Sequence, residues 1–329
     1  MTAWEEATVG GRESVRDVLF DSERRLAAVG VPSPSVDSAE IVAFVMGTTR
    51  SRLFLQDSMT PDQRVQVEKL LAKRLSRVPL QHLLGTAAFR RIEVEVGPGV
   101  FIPRPETELV TEAGLRELVD RPAGERIAVD LCSGSGAIAI SLGLEAPGSR
   151  VHAVEWSDDA IDWTRRNAAS HEAALTAVGS RVEVLHADAT IVADPGQPLA
   201  RLAGQVAVVV TNPPYIPDQM VPREPEVKDF EPAMALYGGE DGLDVVRGVV
   251  RTAAILLRPG GLLVVEHADV QGNEAGTRGV PGVLTGWRTD LELATMANIP
   301  AGRPVFEKVV DRIDLNGLPR FTLARRVAG

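Results

Sequence analysis

Between residues 127 and 266, short apolar runs alternate with helical patterns, and that alternation leaves few folds open. The strand candidates are Ile127–Leu131, Arg150–Glu155, Val182–His186, Val206–Thr211 and Leu262–Glu266. Between them, Ala137–Leu144, Asp158–Ser170 and Leu243–Leu257 read as helices. Strands that alternate with helices predict a parallel sheet covered on both faces, an α/β Rossmann-like domain. Two later strands are expected at Val305–Val310 and Phe321–Arg325. Hydrophobic residues make up 44% of the 329, enough for a full core.

In such a sheet, polar residues at strand ends face the ligand crevice. The run Val206–Thr211 ends in Asn212-Pro213-Pro214-Tyr215. Each proline fixes its own φ and lacks an N–H, so the corner is stiff and its carbonyls are not consumed by local turns. The Asn212 side-chain oxygen and the Pro213 carbonyl then form a rigid pair of acceptors for a planar amino group, with Pro214 and Tyr215 beside it. Such a group is a poor nucleophile and needs alignment.

Asp130-Leu131-Cys132-Ser133-Gly134-Ser135-Gly136 occupies a strand-to-helix turn. Its glycines admit a ligand close to the backbone, and the following helix offers free N–H groups at its positive end. Glu155 ends the next strand, where a carboxylate can accept ribose hydroxyls. Asp188, followed by Ala189, comes after the third strand and suits an adenine amino group. Gly134, Gly136 and Ala139 also fit a dinucleotide fingerprint. The amino-group corner at Asn212 decides for S-adenosylmethionine, because a nicotinamide enzyme has no use for it.

Residues 1–85 read as a small helical domain, with Val15, Val18, Leu19 and Leu26 at helical spacing and Thr60-Pro61-Asp62 as a helix start. Lys69, Lys73, Arg74 and Arg77 are expected to form a solvated basic face. Residues 86–102 read as a β-hairpin linker: Phe89, Ile92, Val94 and Val96 alternate, and Gly97-Pro98-Gly99 is expected to turn the chain into Val100-Phe101-Ile102. The catalytic domain is expected over 103–329, its first helix from about Glu106 to Leu118. Arg104 and Glu106 either shape a lid or form a domain-linking ion pair.

Charge narrows the partners. Residues 1–85 hold 11 basic and 11 acidic residues, so the other 24 basic and 34 acidic residues carry the whole net charge of −10. An acidic catalytic region suits duplex DNA poorly, and no stable DNA binding is expected. One cysteine, Cys132, excludes an intrachain disulfide and fits a reducing compartment. It is expected to pack rather than react. The segment Met1 to Arg12 lacks an apolar signal core, and no run is long enough to span a bilayer, so a cytoplasmic protein is expected. The five histidines have no ligand spacing, and no metal is expected. Trp156 either flanks an adenine or is buried.

Several blocks together resemble one family. Pro79-Leu80-Gln81-His82-Leu83-Leu84-Gly85, Phe101-Ile102-Pro103-Arg104-Pro105-Glu106-Thr107-Glu108, Asn212-Pro213-Pro214-Tyr215-Ile216 and Phe230-Glu231-Pro232 occur in its order. So do Gly239 to Leu243 and Asp314-Leu315-Asn316-Gly317. The chain is similar to the HemK/PrmC family of protein-(glutamine) methyltransferases. The resemblance implies a class I S-adenosylmethionine-dependent methyltransferase fold and methyl transfer to the glutamine of the Gly-Gly-Gln motif in class-1 release factors. It implies Asn212 and Pro213 as the catalytic pair. For the cofactor it implies Asp130, Cys132, Ser133, Gly134, Ser135, Gly136, Glu155, Asp188, Ala189 and Asn212, with Phe101 and Arg104 as a lid. A monomer is expected, its N-terminal domain helping to grip the protein substrate. Cys132 stands where the family usually has Gly, and Ala189 where a bulky residue is common. The competing reading is amino-group methylation of adenine or guanine in nucleic acid.

Overall fold

The computed structural model describes residues 13–273 and 278–328, so the leader reading of Met1 to Arg12 lies outside the described residues. The chain forms two compact bodies. One comprises residues up to Gly85 together with Arg223–Phe230, and the other Thr86–Pro222 with Glu231 onward.

The first body is helical. Its main helices are Val15–Ala28, Pro34–Val45 and Pro61–Leu75, joined by a 3₁₀ turn at Arg50–Leu55 and followed by the short Leu80–Leu84. Thr60 starts the third helix through a reciprocal cap. Its hydroxyl accepts the Gln63 N–H at 3.2 Å, and the Gln63 side chain accepts the Thr60 N–H at 2.9 Å. Val15, Val18, Ile41, Val42, Met59 and Val67 fill its core. The expected basic face holds for Lys69 and Lys73, which are exposed, and is corrected for Arg74 and Arg77. Arg74 is 4% exposed and bonds Asp37 at 2.7 Å and Glu226 at 2.8 Å. Arg77 also grips Glu226. Acids distant in sequence draw these cations inward, which a helical wheel of residues 61–75 does not reveal.

The second body holds a seven-stranded sheet: β1 Ile127–Leu131, β2 Arg150–Glu155, β3 Arg181–His186, β4 Val206–Thr211, β5 Leu257–Glu266, β6 Phe306–Ile313 and β7 Pro319–Arg326. The order is β6-β7-β5-β4-β1-β2-β3. The first five strands are parallel, and β7 pairs antiparallel with both β5 and β6, so β7 alone runs against the rest of the sheet. The all-parallel expectation therefore fails at β7. The link Asp314–Leu318 is too short for a crossover, so β6 and β7 form a hairpin. Gly317 turns it at φ 81°, and the Asp314 carboxylate accepts the N–H groups of Asn316 and Leu318. β1 and β4 are neighbours although β2 and β3 intervene in sequence. That reversal opens the crevice above their carboxyl ends.

The helix Pro105–Val119 packs on this sheet through Gly114, where an added Cβ would sit 2.7 Å from Val210 Cγ2. The hairpin Thr86–Phe89/Ile92–Glu95 belongs to the second body, its Phe89 and Val94 sharing a core with Val110 and Leu142. It turns at Arg90-Arg91 rather than at Gly97-Pro98-Gly99, and Val100–Ile102 is not a strand. Arg90 takes φ 52° because tertiary bonds hold it. Its guanidinium binds Glu145 and Glu112, and Glu108 accepts its N–H at 3.1 Å. No helix among the described residues is long and apolar enough to cross a membrane.

Candidate active site

The loop after β1 is held from below and behind. Cys132, Gly134 and Gly136 all have positive φ (63°, 54° and 81°). A Cβ on Gly134 would meet nothing within 4 Å, so the residue faces open space. The helix Asp158–Ser170 braces the loop: Thr164 Oγ1 donates to the Gly134 carbonyl at 2.6 Å, and Asn167 Nδ2 to the Ser135 carbonyl at 2.9 Å. Asp130 is fully buried beneath the loop and accepts the Ala139 N–H at 3.1 Å, fixing the start of the helix Ala137–Glu145. Burial pushes its carboxyl well up. Asp130 Oδ1 and the Ser133 hydroxyl are buried without a partner among the described residues.

Glu155 closes the loop from the neighbouring strand. Its Oε2 accepts the Gly134 N–H at 2.8 Å, and its Oε1 accepts those of Trp156 and Ser157 at 2.9 and 2.8 Å. A carboxylate has about four acceptor directions. Three are taken, and the free one lies on Oε2. Trp156 is 58% exposed, its ring 6.4 Å from that of His186. Asp188 Oδ1 accepts from the backbone and the hydroxyl of Thr190 at 2.8 and 2.7 Å.

The amide corner follows β4. Thr211 Oγ1 ties it to the Leu131 carbonyl at 2.8 Å, and Gln271 Nε2 donates to the Tyr215 carbonyl at 2.9 Å. The segment after it comes close enough to need glycine. A Cβ on Gly242 would lie 2.3 Å from the Tyr215 carbonyl oxygen. Asn212 Nδ2 donates to Thr107 Oγ1 over a long 3.4 Å. The Tyr215 hydroxyl is pushed up by burial and by the nearby Glu266 carboxylate.

These parts enclose one cavity of about 340 Å³, within the range usual for small-ligand sites. Cys132, Ser133, Gly134, Ser135, Glu155, Asp188 and Ala189 line it together with Asn212, Pro214, Tyr215, Phe101 and Trp156. Asp130, Gly136, Pro213 and Arg104 do not line it. The first two set the loop's shape from outside, and Pro213 is buried between two lining residues. Arg104 works at a distance too. Its guanidinium stands 5.1 Å from the Phe101 ring centroid and pairs with Glu231, so the pairing with Glu106 is corrected. Burial pushes the Glu231 carboxyl up to about 7.

Comparison with known proteins follows the same division. Residues 17–85 match the PrmC N-terminal domain family, and residues 92–224 match the methyltransferase small domain family. The chain is 44% identical to the release factor glutamine methyltransferase of Streptomyces coelicolor, over 94% of this chain and 96% of that protein. It is 42% identical to the one from Mycolicibacterium smegmatis, over 95% and 98%. The chain belongs to the release factor glutamine methyltransferase family. Its fold is that of class I methyltransferases with an N-terminal helical domain. Among solved structures, a methyltransferase from Pyrococcus furiosus aligns to this family member at a TM-score of 0.45 and 15% identity, covering 73% of this chain and 92% of that one.

Three residues of this family member's site escaped the sequence reading. Thr107 sits inside a block already noted, but nothing local ties it to Asn212. Glu231 likewise stood in a noted block without an assigned partner. Glu266 ends an apolar strand, the same signal that marked Glu155, and could have been found by it.

Proposed function

We propose that this chain transfers the methyl group of S-adenosylmethionine to the side-chain amide nitrogen of the glutamine in the Gly-Gly-Gln motif of class-1 release factors. Identity of 44% to a release factor glutamine methyltransferase over nearly the full length supports the reaction and substrate. One observation carries the mechanism: Asn212 lines the cavity with its Nδ2 turned to Thr107, which leaves Oδ1 as the acceptor on its other side.

The cavity fits the cofactor. Gly134 faces open space, the Ser133 hydroxyl lacks a partner, and Glu155 keeps one acceptor direction on Oε2 for a ribose hydroxyl. Asp188 and Ala189 are assigned to the adenine side, with the exposed Trp156 beside them. When bound, S-adenosylmethionine supplies an electrophilic sulfonium methyl group. The chain's task is then to position and desolvate the nucleophile. Asn212 Oδ1 and the Pro213 carbonyl accept the two amide hydrogens and aim the nitrogen lone pair. Both acceptors favour the positive charge that develops on nitrogen. Tyr215 packs beside the carboxamide. Phe101 covers the cavity, held by the Arg104–Glu231 pair. The reading assigns the protein to the cytoplasm, where release factors act.

The test is incubation with purified release factor and isotope-labelled methyl donor, followed by peptide sequencing of the added mass. Label on the Gly-Gly-Gln glutamine is expected. Label on bulk RNA with none on release factor would replace this reading with nucleic-acid amino methylation.

A further inference from the structure

The helix Asp158–Ser170 supports two separate parts of the cavity wall, and one buried amide stands where its two contact rows meet. Asp159, Trp163 and Asn167 recur at spacing four, so they form a single row along the helix. That row carries the segment that leads from the hairpin to Phe101. A Cβ on Gly99 would sit 2.8 Å from Asp159 Cβ, and one on Gly97 would sit 2.7 Å from Trp163 Cζ2. Trp163 Nε1 also donates to the Pro98 carbonyl at 3.2 Å. Thr164 belongs to the neighbouring row, which carries the glycine loop. Its hydroxyl donates to the Gly134 carbonyl at 2.6 Å, and a Cβ on Gly136 would sit 3.2 Å from its Cγ2.

Asn167 serves both rows. It is fully buried and does not line the cavity. Its Oδ1 accepts the Glu95 N–H at 2.7 Å. Its Nδ2 donates to the Glu95 carbonyl and to the Ser135 carbonyl, each at 2.9 Å. A backbone N–H only donates and a carbonyl only accepts, so the amide fits in one sense alone. Both of its hydrogens are engaged. Toward Glu95, the last residue of the strand Ile92–Glu95, it supplies the donor and acceptor that a further strand would supply. Trp163 and Thr164 each bond one segment, whereas Asn167 bonds both.

Both segments line the cavity, the loop through Ser133, Gly134 and Ser135, the other through Gly99 and Phe101. We propose that Asn167 is a positioning residue that holds these two segments in one register, so that S-adenosylmethionine binding orders them together. The proposal rests on the cavity being the cofactor site. A ligand seated on the loop restrains Ser135, and the shared amide passes that restraint to Glu95. By linkage, loosening the amide weakens the ligand.

The test joins hydrogen exchange, read by mass spectrometry over Glu95 to Phe101 and over Ser133 to Gly136, with calorimetric titration of S-adenosylmethionine. In wild type, the cofactor should slow exchange in both segments. Asn167→Asp keeps the shape but replaces a double donor by a group that only accepts. Without cofactor, it should speed exchange in both segments by about tenfold or more. Trp163→Phe should loosen only Glu95 to Phe101, and Thr164→Val only the loop. Affinity for S-adenosylmethionine should fall about 10–100-fold in Asn167→Asp, the loss expected when buried carbonyls lose their donor. At saturating cofactor, its KM for release factor should stay within about threefold of wild type. An Asn167→Asp protein that loosens one segment alone, or binds the cofactor as wild type does, would overturn the proposal. So would a wild type in which the cofactor slows only the loop, a result that needs no variant to fold. A wild type that binds no S-adenosylmethionine would instead overturn the cofactor reading beneath it.

Discussion

Glu155 Oε2 accepts the Gly134 N–H at 2.8 Å, so the acid that ends β2 holds the glycine loop that follows β1. Two more backbone donors, from Trp156 and Ser157, converge on its other oxygen. Glu155→Gln must point an NH₂ group at one of these donor sets. A buried donor left unsatisfied costs about 1–3 kcal/mol. The variant should melt lower and bind S-adenosylmethionine at least about tenfold more weakly. Calorimetric titration checks the affinity, and an unchanged value would remove Glu155 from the cofactor site.

Asn212→Ala should leave the fold and cofactor affinity close to wild type, since the residue is only part-buried. By comparison with the loss of single preorganised groups elsewhere, turnover on release factor should fall about 10²–10³-fold. Single-turnover kinetics with saturating cofactor measures this directly. Turnover near normal would rule out the acceptor role.

Arg104→Ala leaves Glu231, with a side chain 1% exposed, without its cation. The folded carboxyl is already raised to about 7, above its ordinary value of 4.5. The folded state therefore holds the proton more tightly than the unfolded one, and stability falls as pH rises from 4.5 through 7. Losing the arginine deepens that fall. Urea unfolding should show a deficit of about 2–3 kcal/mol at pH 8 that narrows by pH 6. A deficit equal at both pH values would mean that Arg104 acts by packing on Phe101 instead.

Glu226 behaves in the opposite sense. Burial alone would raise it, but hydrogen bonds from Arg77 and Arg74 outweigh burial and hold it at about 2. Its contribution is complete above 4.5 and is lost as pH falls toward 2. Glu226→Gln should cost about 2–3 kcal/mol at pH 7, because Arg74 stays buried with one acid fewer. The variant should also lose less stability on acidification than wild type, measured by chemical denaturation at pH 7 and pH 4.

Cys132 faces the cavity, yet its thiol is held above its usual range by burial and by the neighbouring Glu155 and Asp130. Since the thiolate is the reactive form, iodoacetamide at pH 7.5 should label it more than about tenfold more slowly than a free thiol. Mass spectrometry of a labelling time course checks this, and labelling at the free rate would contradict it.

The strand ends were readable because each carries a polar residue after an apolar run, and Asp130, Glu155 and Asn212 follow that rule. The glycine loop announced itself by composition. What stayed hidden depends on partners far away in sequence. Arg104 meets Glu231 across 127 positions, and Arg77 meets Glu226 across 149. The hairpin misled for a related reason. Gly97-Pro98-Gly99 is the stronger local turn signal, but three glutamates hold Arg90 in the left-handed region and move the turn there. The β6–β7 pair followed from a link too short for a crossover, which only the observed strand ends made visible.

The polypeptide visits the helical body twice, first through Gly85 and again at Arg223–Phe230. A truncation that begins at residue 86 would therefore take away more than a dispensable appendage. It would maroon an eight-residue excursion whose Glu226 had lost both cations, a few positions downstream of Tyr215. Loss of activity in such a fragment would measure the disturbance of that orphaned stretch as much as any missing grip on substrate. Deleting 223–230 along with the N-terminal residues, and bridging 222 to 231, would separate the two effects.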